Sequence, residues 1–141
     1  MQLPPTLAHQ GRNIGSDFVE DWFSNEAVGS PEQMDTSGIF FDVEVSQDTG
    51  DLCLQHNLRQ ATVDSERAIT VDGTDATLKL IRFTGGVSGE FPSLLLNLLH
   101  DRHCYHFIFL TQSTTLRDAS EATALRILGS FRFGAGLRAT P

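Results

Sequence analysis

The chain has 141 residues, of which 40% are hydrophobic and 20% are charged, and its formal net charge is −8 at pH 7. A chain of this length and composition fits one globular domain that buries a sizeable core. Nucleic acids and anionic membrane surfaces are bound through clustered lysine and arginine. One lysine and nine scattered arginines make both partners unexpected, whereas a protein with a basic face, or a cation, suits the charge better.

The sequence also predicts neither a transmembrane helix nor a signal peptide. It contains no run of 18 apolar residues, so no transmembrane helix is predicted. The N-terminus lacks a basic region followed by an apolar stretch, so no signal peptide is predicted. The two cysteines, Cys53 and Cys104, form neither a zinc-type nor a redox-type spacing, and they either pair or stay as buried thiols.

The chain divides into a flexible lead-in, one domain and a tail. Residues 1–14 contain Pro4-Pro5 and few apolar positions, so we expect them to be loose, with the domain covering 15–133. Residues 134–141 are expected to be a disordered tail. Residues 17–23 combine three aromatic side chains with an acidic rim, which predicts a turn or strand end that packs Phe18, Trp22 and Phe23 into the core.

The first strand is predicted at residues 39–45, where Ile39, Phe41, Val43 and Val45 alternate on one face. Residues 52–61 have apolar positions four and then three apart. This spacing favours a helix that begins near Asp51, although a short strand over residues 52–54 also fits.

Two hairpins and a closing unit follow. The first hairpin joins residues 68–71 to 76–83 through Asp72-Gly73, a strong signal for a tight turn. The second joins the continuous apolar run 94–99 to residues 105–110. Such a run is typical of a strand buried on both faces. A helix over residues 120–128, with Asp118 or Ser120 as its N-cap and Gly129 after its end, then leads to a strand at 130–133.

These elements together predict an α+β fold, an α/β/α sandwich. Its centre is a mostly antiparallel sheet of about six strands, with helices on both faces.

Three segments in this order resemble the PsbP-like family. The segment Asp17-Phe18-Val19-Glu20-Asp21-Trp22 resembles its "YP-x-x-W" element, with Phe18-Val19 in place of Tyr-Pro. Residues 69–76 resemble its "i-x-v-x-G-x-x-A" hairpin. Residues 105–109 and 127–133 resemble its "Y-x-f-x-f … i-L-x-S-F-x-F" ending, so the likeness spans 17–133.

The resemblance implies a domain used for protein association rather than catalysis. Members include the lumenal extrinsic subunit of photosystem II, a Ran GTPase release factor and bacterial exported domains. It therefore implies a non-enzymatic accessory module, with another protein as partner and an extracytoplasmic compartment. No binding residue of the family maps onto this chain, and fold analogy is weak support for a specific function.

The histidine-rich turn of the second hairpin is the one candidate site. His100, Asp101 and His103 supply imidazole and carboxylate groups that suit zinc or copper if they converge. The alternatives are a small-ligand or divalent-metal site there, or a solvated polar turn, which is the commoner outcome. We expect no other cofactor.

Acidic residues flank the loop before the first predicted strand and suggest a contact surface for a basic partner, or a loop that only aids solubility. They are Glu20, Asp21, Glu26, Glu32 and Asp35. A nucleophilic site is not indicated. Ser88 lies between glycines but outside a nucleophile elbow, and Cys104 has its histidine neighbours on the same strand.

Overall fold

A computed structural model describes residues 2–26, 34–35, 37–47, 53–55, 58, 61–83 and 91–133 of the chain. Within these ranges it has seven strands and one helix. The strands are β1 (Ala8–Ile14), β2 (Phe18–Ser24), β3 (Ile39–Ser46), β4 (Ala61–Val71), β5 (Thr74–Phe83), β6 (Ser93–His100) and β7 (His103–Thr111), and the helix is α1 (Thr114–Ser130).

All seven strands form one antiparallel sheet in the order β1-β2-β3-β7-β6-β5-β4. Both predicted hairpins are confirmed, with β4 pairing with β5 and β6 with β7. Asp72 and Gly73 have positive φ values of 45° and 81°, as a two-residue hairpin turn of this kind requires. Asp101 and Arg102 also have positive φ, so the second hairpin turns within two residues as well.

Side chains alternate between the two faces of the sheet, and the main core lies on one of them. We call this the first face. It carries Phe41, Leu94, Leu96 and Phe109, all at most 1% exposed, and α1 covers it with Ala124, Ile127 and Leu128. The predicted strand over 39–45 is confirmed as β3, whose Ile39, Phe41, Val43 and Val45 all belong to this core.

The opposite side, the second face, holds a smaller apolar cluster. Ile81, Leu95 and Ile108 are buried there, and Leu58 and Phe83 pack against them. Leu95 and Leu96 are each 1% exposed although they point to opposite faces, so β6 is buried on both sides as its apolar run predicts.

The predicted α/β/α sandwich is wrong. Among the described residues α1 is the one helix, it lies on the first face, and the sheet has seven strands instead of about six. The burial of β6 on both sides does not require helices on both faces. Here Leu58, a turn residue, packs against the buried cluster of the second face.

The helix boundaries also differ from those predicted, because α1 begins six residues earlier and continues to Ser130. Its N-cap is Ser113, whose Oγ accepts a hydrogen bond from the Leu116 N–H at 3.1 Å. Gly129 is therefore inside the helix. The predicted strand at 130–133 is absent, since these residues end the helix and then pack Phe131 and Phe133 against the first-face core.

Two further local predictions fail. Residues 8–14 are not loose but form β1, which pairs with β2 at the edge of the sheet. Residues 53–55 form a turn rather than part of a helix or strand, Ala61 begins β4, and the rest of the predicted 52–61 segment lies outside the described residues apart from Leu58, a turn residue. The predicted tail, 134–141, also lies outside them.

Each edge strand contains a β-bulge, one between His9 and Gly11 and one between Val63 and Ser65. The second bulge has a structural use, because Asp64 lies at it and accepts hydrogen bonds from Arg82 and from the buried Arg117 of α1. These hydrogen bonds, Arg82 first, hold the pKa of Asp64 well below its usual range. Asp64 thus fixes the start of α1 to the sheet.

A disulfide joins Cys53 to Cys104 of β7, which resolves the alternatives left open by the sequence. Both cysteines are fully buried. The bond attaches the turn at residues 53–55 to the second face across a sequence separation of 51 residues. No helix in the described part of the chain is long and apolar enough to cross a membrane.

Gly11 gives a test of the packing at the β1 edge. A Cβ at this position would overlap the indole of Trp22. Gly11→Ala should therefore lower the free energy of unfolding by about 1–3 kcal/mol, as overpacking does. Urea unfolding followed by the fluorescence of Trp22, the single tryptophan, measures this directly.

The matched control is Gly129→Ala in α1, where a Cβ meets nothing within 4 Å. Alanine is the better helix former, so this variant should be about 0.5–1 kcal/mol more stable. Equal effects of the two substitutions would contradict the packing described for Trp22.

Loss of the disulfide should destabilise the fold substantially. Closing a loop of this length restricts the unfolded chain, so the double variant Cys53→Ala and Cys104→Ala should lose about 3–4 kcal/mol in urea unfolding. A thiol reductant should lower the stability of the unaltered protein and leave that of the variant unchanged. The unaltered protein should also be unfolded and refolded in reductant before the measurement. If its free energy of unfolding is then unchanged, the Cys53–Cys104 disulfide is refuted.

Candidate functional site

The predicted histidine-rich turn lies at the end of the β6–β7 hairpin. His100 and His103 are directly paired and share the first face, whereas Cys104 and His106 lie on the second face. The His100 ring stacks on Phe133 with centroids 3.6 Å apart, and its Nδ1 lies 3.4 Å from the hydroxyl of Thr74.

The other two members of the predicted metal site have their own local roles. Asp101 has a left-handed backbone in the turn, and its carbonyl oxygen lies 2.7 Å from His103 Nδ1. No group of three or more histidine, cysteine or acidic side chains suited to a metal ion occurs among the described residues. Metal binding by His100, Asp101 and His103 stays a prediction.

His106 is part of a buried polar network that the sequence analysis did not identify. Its Nδ1 lies 2.9 Å from Asn97 Oδ1, and its Nε2 lies 3.2 Å from the disulfide sulfur of Cys104. Asn97 Nδ2 in turn donates to the Leu54 carbonyl at 3.5 Å. This network, together with the disulfide, holds the 53–55 turn against β6 and β7.

The acidic residues predicted as one contact surface are dispersed in the structure. Asp21 is fully buried on the first face, where it is bound by Arg12 and lies 2.8 Å from His9 Nε2. Glu26 and Asp35 are joined by a hydrogen bond from the Asp35 N–H to the Glu26 carboxylate. Glu20 lies on the second face, and Glu32 is outside the described residues.

A different acidic group forms on the second face. Glu20 of β2 lies directly opposite Glu44 of β3, and Asp42 lies two residues from Glu44 on the same strand. Burial, a hydrogen bond with Glu20 and the charges of Glu20, Glu44 and Asp21 raise the pKa of Asp42 to about 9. Asp42 is consequently protonated at pH 7 and donates to the Glu20 carboxylate.

Trp22 lies opposite Asp42 and packs on Gly11. Its Nε1 is buried and is the single buried side-chain nitrogen or oxygen without a hydrogen-bond partner among the described residues. Buried donors are nearly always paired. We assign no ligand to this position, because the carboxyl groups beside it already bind each other.

A cleft lies where the pairing of β5 with β6 stops. These strands pair at Lys79–Leu95, Leu80–Leu94 and Ile81–Ser93 among the described residues. In the same register Thr77 would face Asn97 and Asp75 would face Leu99, but these pairs do not form. A cavity of about 350 Å³ lies along this unpaired stretch, mainly on the second face, while Thr74 and His100 remain 3.4 Å apart on the first face.

The lining of the cleft combines apolar with polar side chains, and two of the polar ones, Thr77 and Asn97, lie between its ends. Its lining comprises Leu54, Asp75, Ala76, Thr77, Lys79, Leu95, Asn97, Leu98 and Leu99. Leu95 and Leu98 are buried, whereas Leu54 is 50% exposed at the rim. Lys79 marks the end at which β5 and β6 are still paired, and Asp75 is exposed toward the other end.

Sequence reasoning missed this cleft because the sequence does not show where two neighbouring strands stop pairing. Residues 76–83 and 94–99 both read as ordinary strands, and nothing in either indicates where their pairing stops. The lone lysine was one available signal, since Lys79 interrupts an apolar strand. Asn97 within the run of leucines was another.

The buried carboxyl group of Asp42 makes stability depend on pH. Its pKa is about 9 in the folded protein and has an ordinary value of 3.8. The unfolded chain therefore releases this proton first, and the contribution of Asp42 to stability decreases as pH rises from 3.8 to about 9. Asp42→Asn should remove this slope and stabilise the protein by about 1–3 kcal/mol at neutral pH.

Urea unfolding at several pH values between about 5 and 9 tests this. The control Asp75→Asn changes an exposed carboxylate in β5 and should stay within about 0.5 kcal/mol of the unaltered protein. An Asp42→Asn variant that keeps the original slope would show that another group carries it.

Comparisons with known proteins give fold information only. Neither a scan against family models nor a search of curated proteins found a match. Among solved structures the chain is similar to PA94 of Pseudomonas aeruginosa, a protein of unknown function for which a regulatory role has been suggested. The TM-score is 0.61 at 10% identity, over 91% of this chain and 89% of that one. The similarity shows a shared fold, and nothing in it bears on the PsbP-like resemblance.

Proposed function

We propose that this protein is a non-enzymatic accessory module that binds another protein by accepting an extended segment of it in the cleft between β5 and β6. The observation that supports this most is the early end of β5–β6 pairing, which leaves two strands facing a cavity of about 350 Å³. The partner would be a protein, as the charge of the chain also favours.

Backbone chemistry supports an extended peptide as the occupant. Strand residues carry N–H and C=O groups that need partners when they are buried. Over residues 74–78 and 96–100 neither strand has the other as a partner among the described pairs. A peptide that adds to such strands gains main-chain hydrogen bonds, while side-chain pockets select its sequence.

The lining residues favour binding over catalysis. Thr77 is the one hydroxyl group there, and among the described contacts it has no hydrogen-bonded base that would activate it. Lys79 is paired with Glu66. Leucines together with polar groups that can fix the orientation of a ligand suit a recognition site.

The Cys53–Cys104 disulfide supports an oxidising, extracytoplasmic compartment, because such bonds persist there and are rare in the cytosol. It also forms part of the proposed site. The bond holds the turn that carries Leu54, which is one wall of the cleft.

The test uses an immobilised array of seven-residue peptides with alternating apolar and polar positions. Members that bind should protect the backbone amides of residues 74–78 and 96–100 from hydrogen exchange. The same peptides with N-methylated backbones should bind at least about tenfold more weakly, because main-chain hydrogen bonds are lost.

Two matched variants locate the interaction. Leu54→Glu places a charge at the rim of the cleft and should abolish binding. Val63→Glu changes another exposed apolar residue, 39% exposed on β4 and outside the cleft, and should have no effect. Absence of binding by the whole array, or protection elsewhere on the sheet, would overturn the proposal.

A further inference from the structure

The inner end of the cleft contains the only lysine of the chain. Lys79 is directly opposite Leu95 in the last β5–β6 pair before the cleft, so its stem lies along an apolar surface. Its side chain is 22% exposed. The Lys79 ammonium can therefore contact a ligand at the end of the cleft where β5 and β6 are still paired.

The partner that Lys79 has in this structure is held weakly. Glu66 of β4 lies across the strand pair, with Oε1 at 3.3 Å from the lysine Nζ. The Glu66 side chain is 55% exposed, and exposed ion pairs of this kind contribute little. A competing carboxylate inside the cleft would be less hydrated and would bind the ammonium more strongly.

The opposite end of the cleft has the opposite charge. Asp75 lies four residues from Lys79 on the same strand and on the same face, with Thr77 between them. A second acidic group would be repelled there. The two ends therefore distinguish the two directions in which a charged segment can lie.

We propose that the cleft selects an extended segment that ends in a carboxylate, which replaces Glu66 on Lys79, with an apolar side chain beside Leu54 and Leu99. This inference rests on the proposed function and specifies its ligand. The carboxylate comes from either a chain terminus or an acidic last residue. In both cases Lys79 is the residue that determines specificity, and Asp75 disfavours the reversed orientation.

Three forms of one array peptide provide the test: a free C-terminal carboxylate, an amidated terminus, and an amidated terminus preceded by glutamate. Fluorescence anisotropy with the full-length protein should show that the first or the third binds about tenfold more tightly than the second. Whichever of the two binds better identifies the source of the carboxylate.

Variants at the ion pair separate this inference from the proposed function. Lys79→Gln should remove the preference for the charged peptides over the amidated one, whereas Lys79→Arg should retain the preference. Glu66→Gln should tighten binding of the charged peptides about twofold to threefold, because it removes the competitor. The fluorescence of Trp22 verifies that each variant is folded.

If all three peptides bind equally, and Lys79→Gln changes nothing, the selection of a carboxylate is refuted while the cleft remains a peptide site. If none of the peptides binds and no amide in residues 74–78 is protected, both proposals are refuted.

Discussion

The disulfide between Cys53 and Cys104 is the constraint on which the packing of the second face of the sheet depends. The sheet buries one face under α1, but the leucines of β6 point both ways and need cover on the other side too. The disulfide attaches the 53–55 turn to β7 at that side. Asn97, which is bound to His106, also donates a hydrogen bond to this turn, so a covalent link and a polar network together hold it on the second face.

Charge inside the fold follows a consistent pattern, in which each buried charged or acidic group is neutralised by a neighbour. Arg117 is 4% exposed and binds Asp64, and Asp21 is fully buried and binds Arg12. Asp42 is the exception, because its neighbours are carboxylates and it retains its proton instead. Lys79 is different again, since it is partly exposed and its partner is the exposed Glu66 of β4.

The strands with strong local signals were predictable from the sequence. Alternation in β3 and the Asp72-Gly73 turn each specify structure within a few residues, and both are found. The start of α1 was not predictable in the same way, because Thr114 and Thr115 are poor helix formers and Arg117 disrupts the apolar face. The burial of Arg117 is explained by Asp64, which is 53 residues away in sequence, by the Ile81 carbonyl and by Asp118.

The candidate site was less predictable than the fold for a physical reason. The histidines are conspicuous in the sequence, yet His100 stacks on Phe133 and His106 binds Asn97. The cleft forms where β5 and β6 stop pairing, although both sequences are typical of strands. The point at which pairing stops depends on the twist of the sheet and not on any residue type. Similarly, the sequence does not indicate that the described residues contain one helix, because its apolar runs suit cover by helices or by turns.

The bulges in β1 and β4 have a consequence for self-association. The edge strands of an open sheet can pair with the edge strands of other copies, and this pairing is the first step toward fibrils. Here each terminal strand is irregular, and Asp64, Glu66 and Arg67 place charge in the middle of β4, where pairing with a second copy would bring like charges together. Both outer edges of the described sheet are therefore poor templates for strand addition by a second copy.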